Sequence, residues 1–136
     1  MRAIDPAFNA AIISLAPSHT ARPIAPSTYR QLVECGKFIV WDGASDATIY
    51  GDARVNHAFR AWHDSCHILG HHDFTLAGER AAADLQCAQL LAAYPRAPGR
   101  WLKLIHAEVT GQAEYFARHG IFPLDQLEFI AQYLSR

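Results

Sequence analysis

Hydrophobic and polar positions change period along the chain, and the changes divide it into elements. Between residues 53 and 69 apolar side chains recur at Val55, Phe59, Trp62, Cys66 and Leu69. Spacings of four, three, four and three residues draw one stripe down an α-helix. Helical periodicity also predicts helices near 78–94, 99–119 and 124–134, with Gly70, Pro95, Gly120 and Pro123 as punctuation. Upstream, Asp5 followed by Pro6 opens a short helix over 6–16. Ser27 or Thr28 caps another that stops at Gly36. The segment "PSHTARPIAPST" (17–28) carries three prolines and reads as an extended arm. Phe38–Trp41 and Thr48–Tyr50 are β-favouring runs separated by Asp42-Gly43 and Ser45-Asp46, which predicts a small β-hairpin near 37–50. The expected fold is mainly α: a single helical domain of about four main helices, with the hairpin and an N-terminal arm over 1–28.

Composition narrows the class. The 136 residues suit one domain, and 51% are apolar, enough for a core without covalent staples. Three cysteines at no fixed spacing, Cys35, Cys66 and Cys87, argue for a reducing compartment. A net charge of −1 offers no broad basic face to nucleic acid or anionic lipid. Arg96, Arg100 and Lys103 read as a solvated helix start. No apolar run approaches the length of a membrane span, and "MRAIDPAFNAAIISLAP" makes a poor signal peptide. The expectation is a cytoplasmic protein whose partner is a small-molecule substrate or another protein, with no nucleic acid and no membrane.

The chemistry lies on a second stripe. Asn56, Arg60, His63 and His67 repeat the helical spacing about 100° around from the core stripe, so they are expected to line a cleft. His63 and His67 stand one turn apart, which is how a helix offers two imidazoles to one ion. Asp64 follows the first histidine, as a general base does in related zinc motifs. It reads equally as a ligand, an acceptor behind the ligands, or a partner of Arg60. Glu79 opens the next helix beside Ala82 and Ala83, small residues that permit close approach. Glu108 falls within an apolar stripe formed by Trp101, Leu104, Gly111 and Tyr115, where a carboxylate is costly unless paired. Lys103, His106, Thr110 and Glu114 take the opposite, solvent-facing side. His71 and His72 follow the glycine expected to end the helix and read as bystanders.

His63, His67, Glu79 and Glu108 are therefore the candidate ligands of one divalent metal. Zinc suits such a set first, and iron or manganese also fit. Asp64 and Arg60 are the candidate catalytic groups. Asn56, Gln86 and Gln112 are expected to surround the ligands and the substrate edge. The competing reading is a hydrogen-bonded polar cluster around Arg60, Asp64 and Glu108.

The span His63-Asp64-x2-His67-x11-Glu79 resembles the HDxxH-x11-E zinc motif of the coenzyme Q biosynthesis protein family, helical proteins that act on quinone-ring precursors at the mitochondrial inner membrane. The resemblance covers 17 positions and implies metal ligation by His63, His67 and Glu79. A broader pattern, Ile49-Tyr50-Gly51-Asp52, Asn56, Phe59-Arg60-Ala61, His63-Asp64, His67, Asp73-Phe74, Gly78-Glu79, Gln86, Glu108 and Gly111-Gln112, resembles a family of uncharacterised small phage and bacterial proteins. That likeness implies a shared site and a phage origin, hence a host cytoplasm, but no reaction. Two functions follow. One is a metal-dependent hydrolase or lyase acting on a small anionic, nucleotide-like substrate, which Arg60 would meet. The other is a non-catalytic protein that binds a partner and uses its polar cluster structurally.

Overall fold

The computed structural model describes residues 5–135. The element order is α1 (Pro6–Leu15), β1 (His19–Arg22), α2 (Tyr29–Cys35), β2 (Phe38–Trp41), α3 (Ala53–Gly70) and α4 (Leu76–Ala93). One long helix follows: α5 (Gly99–His106), a π-helical turn (Ala107–Gly111) and α6 (Gln112–His119). The last element is α7 (Gln126–Leu134). The mainly helical expectation and its four main helices hold within a few residues at each end. No helix among the described residues is long and apolar enough to cross a membrane.

Local chemistry fixes the helix starts. Asp5 accepts a hydrogen bond from the Phe8 amide and precedes Pro6 at the first turn of α1. Thr28 caps α2, Asp52 caps α3 and Thr75 caps α4, each through a side-chain oxygen that accepts from a first-turn amide. Asp5 also accepts from Arg100 and from the Trp101 indole at 2.7 Å, so the α1 cap doubles as a clamp on the start of α5. Arg100, expected to be solvated, keeps a largely exposed side chain while making this contact.

The predicted hairpin is absent. The sheet is two-stranded and parallel, with β1 from the arm paired to β2 in the register His19↔Phe38 through Arg22↔Trp41. Thr48, Ile49 and Tyr50 form turns rather than a second strand, yet all three are buried. Their β-favouring character reflects burial. The Tyr50 carbonyl accepts from the Asn9 side chain at 2.9 Å, and the Ala47 carbonyl accepts from the Leu127 amide at 2.8 Å. The expected helix near 6–16 forms as α1, and the extended segment after it lies on the domain, where it contributes β1.

The core gathers Phe8, Ile12, Tyr50, Phe59, Trp62, Leu90 and Ile105 between α1, α3, α4 and α5. Along α3, Val55, Phe59, Trp62 and Cys66 are buried as the stripe predicts, but Leu69 is 64% exposed because the last turn runs past the core. Cys66 packs at 0% exposure, and burial pushes its thiol up to about 12. α3 and α4 pack closely because Ala82 and Ala83 are small and fully buried. Thr110, expected in solvent, is buried. The π-helical turn bonds i to i+5 and rotates the following side chains off the α-helical face assignment.

Candidate metal centre

The second stripe of α3 behaves as its spacing predicts. Asn56, Arg60, His63 and His67 all line one cleft of about 550 Å³, together with Asp64, Glu79, Glu108 and Gln112. Within it three donor atoms converge. His63 Nε2 lies 2.7 Å from Glu79 Oε2, His67 Nε2 lies 3.0 Å from the same oxygen, and the two Nε2 atoms are 2.9 Å apart. Ligands of a tetrahedral ion with bonds of about 2 Å stand roughly 3 Å from one another. His63, His67 and Glu79 can therefore hold a metal ion.

The far side of each imidazole decides what the near side presents. His67 Nδ1 faces the backbone carbonyl of His72 at 2.8 Å. A carbonyl can only accept, so Nδ1 carries the hydrogen and Nε2 keeps its lone pair. His63 Nδ1 faces the Gln86 side-chain oxygen at 2.7 Å, with the same consequence. Two lone pairs and a carboxylate oxygen thus meet at one point, which calls for positive charge there. A proton on one ring answers part of that demand. A cation answers all of it, and oxygen acceptors behind ligating histidines are the usual support of such sites. The charges agree. Burial opposes ionisation of Glu79, but hydrogen bonds from His63 and His67 prevail and hold its carboxyl at about 2. Burial likewise opposes a proton on His63, yet Glu79 raises that ring's pKa.

Backbone geometry at the end of α3 delivers these contacts. Gly70 is the last helical residue, and His71 takes the left-handed conformation at φ 54°. The chain folds back so that the His72 amide donates to the His67 carbonyl at 3.0 Å. A Cβ at Gly70 would lie 2.3 Å from the His72 ring, and a Cβ at Gly78 would lie 2.1 Å from the Asp73 carbonyl oxygen. That second close approach seats the start of α4 and places Glu79 opposite the histidines. His72, expected to be a bystander, thus takes part through its backbone.

The other candidate residues divide. Gln86 orients His63, as expected of a residue behind the ligands. Arg60 Nη1 donates to the backbone carbonyls of Trp41 and Gly43, and its guanidinium carbon stands 5.2 Å from the Trp41 ring centre. Asn56 donates to Ser45 Oγ at 3.0 Å. Both side chains therefore pin the end of β2 and the loop that follows it. Asp64 faces the cleft, where burial pushes its carboxyl up to about 6 against the pull of His63 and His67. Glu108 lines the cleft but stands outside the three-residue cluster. It sits in the π-helical turn, where Oε2 accepts from Gln112 Nε2 at 3.0 Å and the buried Tyr50 hydroxyl also acts on the carboxyl.

Burial pushes the Glu108 carboxyl up to about 7, partly offset by Arg60 and Gln112. A raised carboxyl stabilises the fold fully below its unfolded value of 4.5, and that stability drains away as pH rises through about 7. Glu108→Gln removes this dependence. In metal-free protein, its unfolding free energy relative to wild type should rise by on the order of 2 kcal/mol between pH 4.5 and pH 8. Urea titrations at the two pH values measure the difference. A flat or falling difference would mean that Glu108 is ionised in the native state, as a metal ligand would be.

Comparison with known protein families, curated proteins and solved structures finds no match to this chain.

Proposed function

We propose that the protein binds one divalent metal ion, zinc in the first instance, through His63, His67 and Glu79, and that it is a metal-dependent hydrolase or lyase. The convergence of two lone-pair nitrogens and a carboxylate oxygen, each nitrogen fixed by an acceptor behind its ring, carries this reading. Three protein donors leave coordination positions facing a cleft, the pattern of catalytic rather than structural sites. A bound ion would supply Lewis acidity at those positions. Asp64, beside both histidines and open to the cleft, is the candidate acid–base group. Gln86 and the His72 carbonyl orient the ligands, while Arg60 and Asn56 hold the end of β2, which lines the cleft, and the loop after it.

Metal content tests the proposal. Tag-free protein, supplemented with metal and freed of excess, should carry one equivalent by mass spectrometry. His63→Ala should carry less than one-tenth of that. Wild type well below one equivalent would end the metal reading and leave the triad as a protonated hydrogen-bond cluster. The non-catalytic, partner-binding alternative would then be preferred.

A further inference from the structure

The cleft that opens onto the triad has a composition that discriminates among ligands. Its size is that of a small-molecule site. Its chargeable lining groups are three carboxyl groups (Asp64, Glu79, Glu108), two imidazoles (His63, His67) and the single guanidinium of Arg60. Arg60 Nη1 is occupied by the carbonyls of Trp41, the last residue of β2, and of Gly43 just after it. Arg60 is the one guanidinium that a phosphate could meet among the lining residues, but its Nη1 is already shared with two backbone carbonyls and three carboxyl groups line the same cleft.

Most of the remaining lining residues are apolar. Ile39, Phe74, Leu76 and Val109 are among them, and so is Trp41, which is 38% exposed. At the lip Phe116 and Phe122 stack at 4.7 Å between ring centres, and both remain more than 40% exposed. Beside the lining residues Ala25 and Phe122, the chain exposes Ile24 by 86%, Ile121 by 59% and Leu124 by 75%. Aromatic and aliphatic side chains left uncovered around a cleft mouth mark a surface that gains from burial by a ligand.

We infer that the cleft takes an uncharged, mainly apolar small molecule, whose body lies against Trp41, Phe116 and Phe122 with its polar end toward His63, His67 and Glu79. This assignment rests on the metal reading for the polar end alone. The apolar body is recognised by walls that exist with or without the ion. A neutral ligand is favoured over the anionic one expected from Arg60, because three carboxyl groups share the cleft with that guanidinium and its Nη1 is already occupied.

Two hydroxamic acids isolate the body from the head. 2-Naphthohydroxamic acid and acetohydroxamic acid share one metal-ligating group, and adenosine 5′-monophosphate represents the polar, anionic alternative. Each is titrated calorimetrically into zinc-loaded wild type, Phe116→Ser and Phe122→Ser. Both phenylalanines are exposed, so neither change opens the core. The naphthyl compound should bind wild type about 100-fold more tightly than the acetyl compound, given the apolar area it buries, and more tightly than the nucleotide. Each serine variant should weaken the naphthyl compound at least threefold and leave the acetyl compound and the zinc content unchanged. Hydroxamate affinities within threefold of each other, tighter binding of the nucleotide, or indifference to both variants would overturn the assignment. Zinc content, measured first, separates this result from failure of the metal reading. If no zinc is held, 2-naphthylmethanol is titrated into the metal-free protein. Saturable binding weakened by Phe122→Ser upholds the apolar cleft without the metal, and no binding overturns it as well.

Discussion

Zinc is expected to raise the melting temperature of wild-type protein by about 10 °C when free metal stands near 1,000 times its Kd, and His67→Ala is expected to show no such rise. A ligand that binds only the native state at that excess contributes about 4 kcal/mol. In a chain of 136 residues each kcal/mol shifts the midpoint by roughly 3 °C. His67 is the most informative ligand to remove because it is 1% exposed and its ring is oriented by backbone. Its loss also empties a packed position beside Phe74, whose ring centre is 4.7 Å away, so the variant starts less stable. The comparison therefore concerns the shift on adding zinc, read by calorimetry with and without chelator. An equal shift in both proteins would place the ion elsewhere.

Gly78→Ala should cost the fold on the order of 2–3 kcal/mol and weaken metal binding at least tenfold. The added methyl would stand 2.1 Å from the backbone oxygen of Asp73, and no rotamer change relieves a clash with backbone. Overpacking of this kind typically costs 1–3 kcal/mol. The turn before α4 is held by Asp73, which accepts from the Thr75 amide at 3.1 Å, and by Thr75, which accepts from the Gly78 amide at 3.1 Å. Relief must come from moving the start of α4, and Glu79 moves with it. Urea unfolding and a competitive zinc titration measure the two effects. A variant with normal stability and normal affinity would show that the turn yields without disturbing Glu79.

Much of the site was legible because helices write side-chain geometry into sequence spacing. His63 and His67 one turn apart, and Glu79 at the start of a helix rich in small residues, needed only the helical repeat to be brought together. Gln86 followed from the same face of α4. The β pairing was not legible. A hairpin announces itself through a local turn, whereas β1 and β2 are parallel and joined through α2, so their register depends on contacts distant in sequence. Thr48–Tyr50 misled because side chains that favour strands also favour burial. The π-helical turn escaped for a different reason. One extra residue in a helical turn carries no compositional mark, so Thr110 was assigned to the wrong face, and Glu108 was grouped with three donors whose cluster it stands outside.

The contact between His67 and the His72 carbonyl bears on how this site would change over evolutionary time. What position 72 supplies is a peptide oxygen, and every amino acid has one. Its imidazole can drift to other side chains while the ligand behind it stays in place. The constraint falls instead on the chain path: the left-handed turn at His71 and the number of residues between His67 and Glu79. A relative of this protein could therefore keep its centre while sharing little recognisable sequence across that loop, yet a single inserted residue there would undo it.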